Sequence, residues 1–448
     1  MHFTTDLKRR VHASLLAACA LSLAGCGLVG GDDDTTPTVG NRVPILSRID
    51  NSTEVDPALA AVAVTLPSAQ ENADWAQAGG NASKAMGHLA LSDSPQLAWT
   101  ARIAGATTRR RLATAPIVGG GTLYAIDTSA VVHAIDTQSG TVRWTRPFEV
   151  ASDLRDAAFG GGVTFADGKL YGTNGIGDVG AFDPQSGELL WRVKPGGPLR
   201  GSPTVAFNQV FVMSQNNQIY ALNQADGAVI WQESSSLGQT GVFGVAAPSA
   251  GQGTVIAGYS TGELTAYRYE NGRVVWADAL ARTSISTEVG VLTDVDAEPI
   301  VDSNGRVYAL GQGGRMAAYE LITGQRVWEL SLAGISTPAL AGDWIFTLTD
   351  DARLLAIQKN TGKVRWVSQL QRYRDEKDRK GPIFWSGPVL AGNNLWAVSS
   401  RGELYRINVA DGSATEYAKL DNPVSLPPIV AGGTLFLLDD GGKIYAYR

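Results

Sequence analysis

Ala134-Ile135-Asp136-Thr137-Gln138-Ser139-Gly140 leads to Trp144, and variants of this pattern recur along the chain. Ala181-Phe182-Asp183-Pro184-Gln185-Ser186-Gly187 leads to Trp191, and Ala221-Leu222-Asn223 with Asp226-Gly227 leads to Trp231. Ala266-Tyr267 with Asn271-Gly272 precedes Trp276, Ala318-Tyr319 with Thr323-Gly324 precedes Trp328, and Ala356-Ile357 with Asn360-Thr361-Gly362 precedes Trp366. A seventh copy, Ile407-Asn408 with Asp411-Gly412, has Glu416 where the Trp should stand. Gly140 and Gly412 are 272 residues apart over six intervals, a period near 45. Such a period marks a repeat architecture.

Each copy has one physical reading. An alternating apolar strand ends in Asn, Asp, Ser or Thr before Gly. That Gly supplies the positive φ of a tight hairpin. The next strand carries the Trp. Two more strands lie upstream, in the first unit Ala113 to Val118 and Thr122 to Asp127. A unit is therefore four antiparallel strands, A to D, and four strands per 45 residues predict a blade of a β-propeller. The Trp is expected to pack between neighbouring blades.

Seven units are complete. Residues 428–447 supply only strands A, B and C of an eighth. Gln96-Leu97-Ala98-Trp99-Thr100, ahead of the first unit, has the context of the missing strand D. The fold is thus expected to be all-β, an eight-bladed propeller over residues 73–448. An N-terminal strand closes it against the C-terminal blade and leaves no open edge there.

Composition agrees. The chain has 448 residues, 44% hydrophobic, with 52 Gly and only 18% charged residues, which excludes a helical bundle or a disordered chain. A net charge of -6 offers no basic field for nucleic acid. Of four His, only His88 and His133 lie beyond the N-terminal leader, too few for a His-rich metal site. His88 reads as a capping or packing residue and His133 as an inter-blade hydrogen bonder.

Lys8, Arg9 and Arg10 precede an apolar run from Val11 to Ala24. The run is shorter than the roughly 20 residues of a spanning helix and fits a secretory signal. It ends Leu23-Ala24-Gly25-Cys26, which resembles the bacterial lipobox, so residues 1–25 are expected to be removed and Cys26 lipidated. Gly27 after the Cys favours the outer membrane under the enterobacterial sorting rule. Residues 26–72, rich in polar breakers such as Gly30-Gly31-Asp32-Asp33-Asp34, are expected to form a flexible tether. One insertion, Gln371 to Lys380, breaks the repeat between the sixth and seventh blades. It reads either as a partner-binding loop or as a solvated one.

The Ala-x-Asp-x-x-Thr-Gly-x-x-x-Trp pattern resembles the repeat of pyrroloquinoline-quinone dehydrogenases. That resemblance implies a vicinal Cys pair and acidic and amide ligands for Ca²⁺. With Cys19 and Cys26 the only cysteines, no such pair remains after processing, and no cofactor, metal or catalytic residue is assigned. A periplasmic quinoprotein enzyme and a cell-wall-binding propeller stand as the rival readings.

A lipoprotein signal, a tether and a propeller without cofactor ligands together resemble the BamB family of outer-membrane protein assembly factors. The segment Trp75 to Leu91, with Gly79-Gly80-Asn81 and Gly87-His88-Leu89, is similar to the entry segment of alphaproteobacterial members. Pro198-Leu199-Arg200-Gly201-Ser202-Pro203 resembles a stretch through which the family docks on the central barrel subunit. So does Ser286-Thr287-Glu288 with Leu292-Thr293-Asp294-Val295-Asp296. The resemblance implies a non-catalytic scaffold on the periplasmic face of the outer membrane. It implies that Leu199, Arg200, Asp294 and Asp296 contact the barrel subunit, and that nascent outer-membrane proteins are clients. Independently of it, both motifs fall in D-to-A connections, which open on one face of a propeller about two blades apart.

Overall fold

A computed structural model describes residues 53–236, 244, 246–280 and 293–448. The described chain forms eight four-stranded antiparallel sheets. Blades one to seven span residues 117–147, 163–193, 204–234, 249–279, 300–330, 339–369 and 385–419. Blade eight joins residues 429–447 to Leu97–Arg102, in the order D, C, B, A. Thr100 lies opposite Tyr445 and Arg102 opposite Lys443, so the ring closes through the N-terminal strand as expected.

Local chemistry explains the repeat. The repeated Ala faces the Trp across strands C and D, as in Ala134 opposite Trp144, Ala266 opposite Trp276 and Ala446 opposite Trp99. In blades one to six a register shift follows this Ala. Each ring then leaves its own sheet for the hairpin of the next blade. Trp144 donates its indole N–H to Pro184 O at 3.0 Å, and Trp276 donates to Leu321 O at 2.8 Å. The receiving hairpin must carry Gly. A Cβ on Gly272 would sit 2.6 Å from the Trp231 ring, and its φ is +70°. The Gly thus serves the turn and the inter-blade contact together. The core runs between blades, where the apolar side chains of adjoining sheets interdigitate.

The stretch before the closing strand departs from expectation. Residues 53–72, read as part of a flexible tether, are docked on the propeller. Asp56 N donates to Val364 O at 2.8 Å, and Asp56 pairs with Lys363 at 2.8 Å. Arg365 Nε reaches Val62 O at 2.6 Å, and Val64 and Leu66 pack against the core between blades six and seven. The ordered propeller unit therefore starts ahead of the expected boundary at residue 73. The leader, Cys26 and Gly30 to Asp34 lie outside the described residues.

Residues 72–90 then run around the A strands at their A-to-B end, meeting the blades in ring order. Asn72 bonds Val430 O of blade eight at 2.7 Å, and Trp75 exchanges two main-chain bonds with Val118 of blade one. Ala76 O accepts from Phe165 of blade two, and the Gln77 amide grips both N and O of Val205 of blade three at 3.0 Å each. Ala82 O and Ser83 O accept from Ala250 and Val301 of blades four and five, and Leu89 O accepts from Gly392 of blade seven. The Gly79-Gly80 motif makes the sharp turn here: Gly80 has φ +96°, and a Cβ on it would lie 2.2 Å from Met86 Cγ. Buried Lys84 donates to Ala78 O at 2.9 Å. Burial pushes its ammonium pKa down and the Glu298 carboxyl up, each shift opposed by the other's charge. His88, expected to pack or cap, bridges two carbonyls, Pro67 O at 2.8 Å and Gly392 O. His133 does not bond between blades; it meets Asp127 of its own blade at 2.8 Å.

Candidate partner-binding face

Antiparallel order places the B-to-C turns and the D-to-A connections at one end of the ring. The ring-circling segment lies at the other. Both docking motifs fall in D-to-A connections, between blades two and three and between blades four and five. The charged insertion is at this end too. It forms a hairpin, Tyr373–Asp375 paired with Lys380–Pro382.

The first motif divides. Leu199 was expected to contact a partner but is 0% exposed, and it belongs to the core between blades two and three with Tyr171, Val179 and Val205. Its N–H donates to Asn174 O at 3.3 Å. Its role is therefore to wedge the loop into the scaffold, because an aliphatic side chain gains more from that pocket than from water. Arg200, the next residue, is half-buried and stacks its guanidinium on Phe159, 4.7 Å from the ring centroid. Phe159 comes from the connection between blades one and two, so Arg200 joins two neighbouring loops. Burial lowers the Arg200 pKa from its ordinary value.

The second motif also divides. Asp294 was expected to face a partner but is 2% exposed, enclosed against the B-to-C turns of blades four and five. Gln312 N donates to Asp294 O at 2.9 Å, and Thr293 Oγ1 donates to Ser260 O at 2.9 Å. Asp296 is half-buried. Its carboxyl is pushed up to about 7, first by burial and then by the charges of Asp294 and Asp350. Ser286, Thr287, Glu288 and Leu292 lie outside the described residues. Of the four residues read as partner contacts, Arg200 and Asp296 retain solvent-facing surface, while Leu199 and Asp294 shape the loops from within.

Among the described residues no group of three or more His, Cys, Asp or Glu side chains is placed to hold a metal ion. Sequence reasoning missed the docked segment 53–67 entirely. It placed the ring-circling segment only through the Trp75 to Leu91 motif, without its course around the ring.

The family model described as "Outer membrane protein assembly factor BamB" matches residues 132–368, more than half of the chain. The protein of that name from Salmonella typhimurium is 29% identical over 74% of this chain and 83% of its own length. The Escherichia coli protein of that name is 27% identical over 79% of this chain and 88% of its own. In three dimensions the chain is similar to BamB from Moraxella catarrhalis, with a TM-score of 0.66 and 19% identity over 79% of this chain and 99% of that one. It is also similar to a quinohemoprotein alcohol dehydrogenase from Comamonas testosteroni, with a TM-score of 0.67 and 13% identity over 90% of this chain and 83% of that one. The structural likenesses concern the fold. The repeat, its eightfold closure and the family match over residues 132–368 lead to one assignment: the chain belongs to the outer membrane protein assembly factor BamB family.

Proposed function

We propose that this protein is a non-catalytic scaffold of the outer-membrane β-barrel assembly machinery. It is lipid-anchored through Cys26 at the periplasmic face of the outer membrane. It binds the central barrel subunit and so aids folding and insertion of outer-membrane proteins. The observation that carries this reading is the family match, which extends across the blades bearing both loop motifs. The geometry is compatible with it. The face at the D-to-A end holds Arg200, Asp296 and the 373–382 hairpin on a rigid repeat scaffold, the arrangement in which loops usually carry recognition.

The test is capture of the purified periplasmic domains of the barrel subunit at fixed salt. Arg200→Glu should weaken capture while thermal melting stays within a few degrees of wild type, since reversal adds repulsion as well as removing attraction. Unchanged capture with unchanged melting would place docking elsewhere. A second arm addresses the fold likeness to quinoproteins. Saturable binding of pyrroloquinoline quinone with Ca²⁺, together with dye-linked oxidation of an alcohol, would overturn the non-catalytic reading.

A further inference from the structure

Two charged residues break the repeat at positions that are otherwise uncharged, and they meet. The last position of strand A is Gly or Ala in seven blades, as in Gly251 and Ala341 of blades four and six. In blade five Asp302 stands there. The hairpin residue whose carbonyl receives the preceding Trp is Thr137, Pro184, Gln224, Tyr269, Leu321 or Val409 in other blades. In blade six it is Lys359. Lys359 Nζ lies 3.2 Å from Asp302 Oδ2, and the two side chains are only 12% and 4% exposed.

This pair lines a cavity of about 370 Å³ at the A-to-B end. The cavity lies between the ring-circling segment and the A-to-B turns of blades four, five and six. Ala85, Val301 and Leu340 supply apolar wall, and Ser303 stands exposed at the rim. The size suits a small ligand. The pair is also incompletely used. Asp302 Oδ1 accepts the N–H of Asn304, but Oδ2 accepts no hydrogen bond among the described residues and meets only the Lys359 ammonium. A buried carboxylate oxygen without a donor calls for a partner. An ammonium has three donors, and Asp302 faces one side of it.

We infer that this cavity binds the zwitterionic centre of an α-amino acid, with its ammonium on Asp302 and its carboxylate on Lys359. The charges select that class. An anion alone would be repelled by Asp302, and a cation alone by Lys359. An α-amino acid carries both charges on one carbon. Set antiparallel to the protein pair, it places four charges in alternating order, so each faces its opposite. Its side chain then rests on the apolar wall. The cavity lies at the opposite end of the ring from Arg200 and Asp296, so its ligand is independent of the docking proposed above.

The probes are L-leucine and meso-diaminopimelic acid, titrated by calorimetry into the full-length protein. Saturable binding of at least one is expected. The N-acetyl derivative of the bound probe lacks the ammonium and its amide lacks the carboxylate. Each should bind at least about tenfold more weakly, the loss of one charge-assisted hydrogen bond. Lys359→Gln and Asp302→Asn should weaken the bound probe to the same extent. Ser303→Trp keeps both charges and fills the rim. It should abolish binding while melting as wild type does, so the test survives if either charge variant fails to fold. No saturable binding of either probe, equal binding of the blocked derivatives, or undiminished binding by Ser303→Trp would each overturn the inference. The pair would then be a structural joint between blades five and six. A muropeptide ending in diaminopimelate presents the same centre on cell-wall material. Tighter binding of that muropeptide than of both free amino acids would assign the cavity to the cell wall, and the reverse order to free amino acids.

Discussion

Tyr417 donates its phenol hydroxyl to the carbonyl of Pro95 over 2.7 Å, joining blade seven to the strand that closes blade eight. Elsewhere that joint is a Trp. Trp99, Trp144, Trp191, Trp231, Trp276, Trp328 and Trp366 each donate an indole N–H to a carbonyl of the following blade. Each of these rings lies on the hairpin Gly between strands C and D of that blade. Blade eight has no such hairpin, because its strand C ends at Tyr447 and its strand D begins at Leu97. A Trp at position 416 would have no hairpin Gly to lie on, and Glu416 is exposed to solvent. Tyr417→Phe should cost about 0.5–1.5 kcal/mol, the net worth of one hydrogen bond. Glu416→Trp should give no stabilisation. A denaturant midpoint raised by Glu416→Trp would contradict the explanation.

Gly272 and Gly433 separate two roles of glycine. Both have positive φ, +70° and +65°. A Cβ on Gly433 meets nothing within 4 Å, whereas one on Gly272 runs into the Trp231 ring. Gly433→Ala should lose only the backbone preference, on the order of 1 kcal/mol. Gly272→Ala should lose about 1–3 kcal/mol more from overpacking. Equal losses in urea unfolding would mean that the ring moves aside freely.

Gln77 is buried, and its amide satisfies the N–H and C=O of Val205 together. Gln77→Ala orphans both groups, at about 1–3 kcal/mol for each that water does not reach. Deleting residues 73–103 removes that grip and strand D of blade eight together, so the single cooperative transition should disappear. Calorimetry showing an unshifted single peak for the deletion would refute closure by Leu97–Arg102.

Asp296 makes stability depend on pH in a defined direction. Its folded carboxyl titrates at about 7, above the ordinary value of 3.8. Between these values the unfolded chain has released the proton and the folded chain retains it. Stability from this group is therefore full below the lower value and declines as pH rises toward 7. Asp296→Asn should flatten that decline and melt higher than wild type at pH 8. Melting curves with parallel pH dependence for both proteins would rule the effect out.

The anchor is testable on its own. If Leu23-Ala24-Gly25-Cys26 is a lipidation site, Cys26→Ala should abolish palmitate labelling and release the protein from membranes after osmotic shock. Labelling equal to wild type would show that the acyl chain is elsewhere or absent.

Blade number, strand order and the closing strand were all legible in the order of residues, because a hairpin Gly, a facing Ala and a Trp act within one repeat or between adjacent ones. The absence of the seventh Trp was visible as well. Its reason was not, since it depends on where the two chain ends meet in space. The same limit applies to the loops. Pro198-Leu199-Arg200 and Asp294-Val295-Asp296 read as surface connections, yet Leu199 and Asp294 are enclosed by turns from other parts of the chain. Residues 53–67 have no apolar period of their own. They are ordered by single bonds to partners such as Arg365, 303 positions away from Val62. Periodicity records which face of an element meets the core. Contacts between segments so distant in the chain leave no period, and only folding brings their partners together.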